Sequence, residues 1–381
     1  MPGTARKVNT QMNLMSAIAI ILVVCGHEAC NLFSLNNLFP YYSYHMPLFM
    51  FISGYFYSPQ AEKTPLRYLW NKGTKLLGYF LFWQIAYALL ADILRYVTNG
   101  AFTIGPTLSF TSLIKTPFLQ GTSGLTSPSW YLVTMFYVLT IYLVLRKVLS
   151  LFRLSNEYII SLITLAAGCI GITIVTGHEF TWPLRRVFQV LYFLPCLALG
   201  RLYRTHLEKI DKVPNILYFS IVFFVQAVLV LLQGKMPNMV AAHMTGFTHP
   251  LFAYGFALTG IALVLRISRL LDPVIGESPY VLFIGRNTQT VMMHHMFFYF
   301  CIHAVLAFIA AKTGWMQDID PGKLLSNIYY HYYPKGLTSL SVIYVILTTA
   351  LPLVFLYAGK QLKKLFQEKI QLRLTRKKIQ G

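Results

Sequence analysis

Charge is scarce in this sequence, and negative charge is scarcest. Only 12% of its 381 residues are charged, with 12 acidic side chains against 32 Lys and Arg. Soluble domains carry about 25% charge, so a water-exposed globular surface is excluded. The chain is 56% hydrophobic with a mean hydropathy of +0.56, which marks a polytopic membrane protein. The formal net charge of +20 does not indicate nucleic-acid binding, because the basic residues lie between apolar segments rather than in one patch. Cysteines are few. Cys25, Cys30, Cys169, Cys196 and Cys301 are scattered through apolar runs without a CxxC or Cys/His ligand spacing, so neither a disulfide framework nor a metal site is expected. No cleavable signal peptide is evident, since the first apolar segment lacks an A-x-A-like end and carries ionisable groups. No soluble domain or internal repeat interrupts the chain. We read residues 1–381 as a single integral membrane domain, with 359–381 as a basic cytoplasmic tail.

What is present is a series of apolar segments. A helix needs about 20 mostly apolar residues to cross a bilayer. Ten segments qualify, near 12–33, 41–57, 76–98, 129–146, 157–176, 187–203, 215–233, 249–265, 288–311 and 339–358. The expected fold is therefore all-α, with about ten transmembrane helices. Placing the N-terminus inside puts 24 of the 32 Lys and Arg on the cytoplasmic side, including Arg6 and Lys7. Both termini are then cytoplasmic. The longest outer segments are 99–128 and 312–338. The second contains "YYHYYP" at 329–334, a cluster that suits either a sugar-binding face or an interfacial aromatic belt.

Several ionisable groups lie where a membrane helix is most apolar. In "AIAIILVVCGHEACNLF", nine apolar residues lead to Gly26, His27 and Glu28. At about 1.5 Å per residue, His27 is expected in the outer half of the membrane. An ionisable group there faces a protein interior or a wet cavity. Two readings stay open: a neutral histidine bonded to a neighbouring helix, or a general base near neutral pH. Glu28 need not share its helix face. It either orients another group or reaches to water at the outer interface. His45 begins the second segment, with Pro47 in its first turn and Gly54 suited to close packing. The ninth segment opens "IGRNTQTVMMHHMFFYF", and only one of His294 and His295 can face a given site. In "HEFTWPLRRVF", Arg185 and Arg186 are either anchors or a clamp for an anionic group.

Together these stretches resemble the acyltransferase-3 family of integral membrane acyltransferases, and are most similar to its branch that O-acetylates polysaccharides and sugars. "NLMSAIAIILVVCGH" resembles the first-helix signature ending at the proposed catalytic histidine, here His27. "HMPLFMFISGYFY" is similar to the second-helix motif and is the most specific match. "SPSWYL" at 127–132 resembles the Trp-aromatic-Leu motif. "IGRNTQTVMMHH" resembles the late Gly-Lys-Asn-Ser-type motif, which aligns with His295 and includes Asn287. There are departures. Many members carry Arg eleven residues before the first-helix histidine, where this chain has Ser16, and the preceding acidic position is Asn13. The proline of the third helix is missing from "GTKLLGYFLFW".

The resemblance implies transfer of an acyl group from a cytoplasmic acyl-CoA, most simply acetyl-CoA, to a hydroxyl of a cell-surface or lipid-linked glycan. The protein would lie in the cell membrane, with no tightly bound cofactor and no nucleic-acid partner. His27 is the candidate base, or a covalent acyl acceptor, and Glu28 is the second candidate catalytic residue. His45, Trp130, Arg185, Arg186, Asn287, His294 and His295 are candidate cavity or substrate residues. Arg67, Lys72 and Lys75, before the third helix, suit the CoA phosphates, although topology alone would also place them there. A glycan or small-metabolite transporter or flippase is the alternative, because it too needs polar groups inside a helix bundle. A structural partner in polysaccharide synthesis is a third.

Overall fold

A computed structural model of the chain describes residues 9–28, 34–35, 37–122, 124–178, 183–316 and 318–380. Arg6, Lys7 and Cys30 lie outside them. The described chain is helical, and its β-pairing is a single bridge between Val240 and Thr245. The long elements are α1 (Thr10–His27), α2 (His45–Tyr55), α3 (Pro65–Val97), α4 (Trp130–Leu151), α5 (Glu157–Val175) and α6 (Leu184–Leu202). They continue with α7 (Asn215–Gln233), α8 (Pro250–Ile275), α9 (Pro279–Arg286), α10 (Thr288–Thr313) and α11 (Ser341–Gln380). Eight of the described helices are long and apolar enough to cross a membrane, which establishes an all-α polytopic membrane protein. The other two of the ten expected segments are helical but differ. Helix α2 has 11 residues, about 16 Å at 1.5 Å per residue, roughly half a hydrocarbon core. Helix α6 carries Arg185, Arg186 and Arg201.

Helix α1 is central. Asn9 caps it by accepting from the Met12 N–H, and apolar residues cover every face. It packs against α2, α8, α9, α10 and α11. It ends at His27 rather than near 33, where the Glu28 N–H bonds back to Cys25 O. His27 is therefore a helix terminus and not an interior position.

Helix α2 is held by α6 through reciprocal glycines. A methyl on Gly54 would lie 1.8 Å from Leu197 O, and one on Gly200 would lie 1.9 Å from Phe51 O. The two backbones touch, and only glycine permits that separation. The contact buries almost all of α2 and fixes His45 at its outer end.

Helix α3 starts earlier than its apolar run implies. Pro65 sits in its first turn, and a π-turn at Thr74–Gly78 joins an amphipathic opening to the apolar body. Arg67, Lys72 and Lys75 therefore ride on the helix itself. Several basic residues counted as topology signals are also structural. Arg146 bonds Glu62 and Glu157 at 2.6 Å each, Arg201 bonds Glu157 at 3.1 Å, and Asp211 pairs with Arg266 and Arg269. Partly desolvated pairs of this kind fix helix register, because removing one partner strands a buried charge.

Candidate active site

Three separated segments meet at one cavity. His27 from the end of α1, His45 from the start of α2 and Trp130 from the start of α4 line a cavity of about 40 Å³, with Val23, Tyr42, Met46, Pro128, Val240, Ala241, Ala242 and Met292. The His27 ring lies between two others. Its centroid is 5.2 Å from that of His295, tilted by 43°, and 6.1 Å from that of Tyr329, nearly parallel at 18°. His45 is 5% exposed, and its Nδ1 is hydrogen-bonded to Tyr41 O. The His295 Nδ1 is 2.8 Å from Val291 O. Among the described residues, His27 Nδ1 and His295 Nε2 are buried without a hydrogen-bond partner. A hollow of about 310 Å³ with mixed polar and apolar walls shares Tyr42 with this cavity; Ser34, Asn37, Tyr41 and Asn238 are among its lining.

Glu28 does not reach water. It is fully buried, and Tyr333 donates a 2.9 Å hydrogen bond to its Oε1. His331 Nδ1 lies 3.8 Å from its Oε2 and 2.5 Å from the Tyr299 hydroxyl. Burial raises the Glu28 carboxyl to about 8, partly offset by the Tyr333 hydrogen bond. Burial lowers His331 to about 4, with His303 adding to the effect. The segment that carries these partners is the "YYHYYP" cluster. It folds over the end of α1: the Tyr332 N–H donates to His303 Nε2 at 3.1 Å, Tyr344 OH bonds Tyr332 O at 2.9 Å, and Tyr329 OH meets Ser127 Oγ at 2.6 Å. Tyr42, Tyr329, His331 and Tyr333 were missed as site residues from sequence. Their aromatic richness was visible, but not what they cover.

Other expected cavity residues stand elsewhere. His294 faces away from His295, as tandem residues on a helix must. It sits in an aromatic box, 2.7 Å from Tyr87 OH, 3.2 Å from Tyr79 OH and edge-on to Trp83. Arg186 is not on the cavity wall. It is 6% exposed, ties α6 to neighbouring segments through Thr134 and Pro117 O, and bonds Gln189 within its own helix. Arg185 is half-buried next to it and is likewise absent from the wall. Asn287 bonds Phe283 O at the α9–α10 junction, eight residues or about 12 Å of helix before His295. The Ser16 hydroxyl bonds its own helix at Met12 O, and Asn13 reaches Val281 O on α9.

The basic opening of α3 borders an open hollow of about 770 Å³ lined by Leu66, Arg67, Leu69, Trp70, Gly73, Thr74, Gly78 and Phe136. Arg67 lines it, whereas the Lys72 ammonium lies 5.7 Å from the Tyr68 ring centre. Among the described residues, no group of three or more His, Cys, Asp or Glu is arranged to hold a metal ion.

Comparison with known proteins identifies the family. The family model for the acyltransferase-3 acyltransferase domain matches residues 9–357, nearly the whole chain. The chain belongs to that family and is a membrane acyltransferase. No curated protein and no solved structure matches it.

Proposed function

We propose that this acyltransferase is an O-acetyltransferase of the cell membrane, moving an acetyl group from cytoplasmic acetyl-CoA to a hydroxyl of a cell-surface or lipid-linked glycan. The observation that carries the reading is the meeting of His27, His45 and Trp130 on one cavity, at the end of a helix within the family match. His27 takes the acceptor hydroxyl proton as the oxygen attacks the thioester carbonyl. The C–O bond forms, the C–S bond breaks, and the proton on His27 passes to the CoA sulfur. Trp130 supplies an indole N–H toward the developing oxyanion. The hollow that shares Tyr42, with its amide, hydroxyl and aromatic groups, suits a sugar. Arg67, Lys72 and Lys75 suit the CoA phosphates. Glu28 anchors the outer segment against the site.

The test is transfer of labelled acetyl from acetyl-CoA into glycan by purified protein in host membrane extract. Wild type transfers, and His27→Ala loses about 10²–10⁴-fold while remaining monodisperse. A wild-type protein that moves intact glycan across vesicles and transfers no acetyl overturns the proposal in favour of transport. Near-wild-type turnover by His27→Ala removes the histidine from the mechanism.

A further inference from the structure

We infer that His295 is a positioning residue that fixes the tautomer of His27, so that His27 Nε2 is the nitrogen that takes the proton. This rests on the reading of His27 as the base.

The chemistry follows from hydrogen-bond bookkeeping. Val291 O can only accept, so at 2.8 Å the His295 Nδ1 must carry the hydrogen. His295 Nε2 is then a bare lone pair. It belongs to a side chain with no solvent exposure and has no partner among the described residues. Buried polar atoms are normally satisfied, and each exception calls for a reason. The nearest ring is His27, whose Nδ1 is also buried and unpartnered. One unmet acceptor thus lies on a ring beside another that has a buried unmet nitrogen. A centroid separation of 5.2 Å lets two facing ring nitrogens come within hydrogen-bond range after a modest side-chain rotation. Catalytic hydrogen bonds are often loose before substrate binds and tighten in the complex.

A hydrogen on His27 Nδ1 satisfies both atoms at once. It also leaves His27 Nε2 unprotonated, as a general base requires. His295 then serves as the carboxylate serves in a Ser-His-Asp triad, holding the base in the productive tautomer. Tyr329, stacked on His27, helps fix the ring plane. His45 does not take this part, because its ring is paired with Tyr42 rather than with His27 and, among the described residues, it has no buried nitrogen left without a partner.

The experiment uses the full chain in lipid bilayers. Nitrogen NMR of labelled imidazoles reads the tautomer, with the His27 signal identified by its loss in His27→Asn. Turnover is read as labelled acetyl moved from acetyl-CoA into host membrane glycan. In wild type, His27 shows a protonated Nδ1 and a bare Nε2. His295→Leu, which cannot accept, mixes the tautomers and lowers kcat about 10²-fold with KM for acetyl-CoA unchanged. His295→Gln, whose side-chain oxygen accepts near the place of Nε2, restores the wild-type signature and brings kcat within about tenfold. The loss expected for His295→Leu is at the lower end of the general-base range of about 10²–10⁴. If His27 holds the same tautomer in His295→Leu, or if Gln rescues no better than Leu, the inference fails. If the tautomer behaves as described but His27→Asn retains turnover, the positioning contact stands and the reading of His27 as base fails.

Discussion

The Tyr333 hydroxyl donates a 2.9 Å hydrogen bond to Glu28 Oε1 across 305 positions of sequence. It fastens the segment before α11 to the end of α1, and so closes the site over His27. The carboxyl it holds is fully buried, with His331 and Tyr344 also facing it.

That burial predicts a pH dependence of stability. Glu28 binds its proton more tightly folded, near 8, than its ordinary value of 4.5. Its contribution is therefore fully present below about 4.5 and is lost as pH rises through about 8. Glu28→Gln, which cannot ionise, should remove this loss. The melting temperature of the variant minus that of wild type should increase steadily with pH. His331, lowered from 6.5 to about 4, acts in the opposite direction only below about 6.5, so the rise is read between pH 6.5 and 8.5. A constant difference across the range would show that Glu28 keeps its proton affinity unchanged on folding.

His294→Ala separates structure from chemistry. It removes bonds to Tyr79 and Tyr87 and empties part of an aromatic box. The cost should be about 2–4 kcal/mol of stability, with turnover within about tenfold of wild type once folded. A loss of turnover as deep as that of His27→Ala would place His294 in the reaction.

Gly54→Ala should not yield a monodisperse protein, because the added methyl would lie 1.8 Å from Leu197 O, a backbone atom that cannot swing aside. Gly78→Ala is the control, since nothing lies within 4 Å of its added methyl. Size-exclusion profiles of the two decide it: equal recovery would mean α2 and α6 can separate at little cost.

Neutralising Lys72 and Lys75 together, and separately Arg67, should weaken acetyl-CoA binding, and more so at low salt, where exposed charges are least screened. Arg67 should matter more for a ligand seated in the hollow it lines. Calorimetric titration showing unchanged affinity in both variants would leave these residues a topological role only.

Orientation is checked by single cysteines in a background lacking the natural ones. Reagents applied from outside intact cells should modify positions in 318–338 and spare 360–369. Modification of both from one side would overturn the arrangement with both termini inside.

Composition alone determined that this chain lives in a membrane as helices, because apolar runs of about 20 residues with so few acids have no other stable state. Ten segments were legible for that reason, and the family resemblance was legible because its motifs are contiguous in sequence. The helix ends were less so. The early start of α3 depends on Pro65 and an amphipathic turn that hydropathy averages away. The end of α1 at His27 depends on a local backbone bond. The site was decided only by tertiary structure. His27, His45, Trp130, His295 and Tyr329 come from five segments, and which faces meet depends on helix rotation and on glycine contacts such as Gly54 against Leu197. Adjacent His294 and His295 point about 100° apart, so one entered an aromatic box and the other the site. Sequence left Glu28 open between orienting another group and reaching water, and only the fold of the 329–334 cluster buries it. A sequence records which side chains exist; packing decides which of them share a space from which water is excluded.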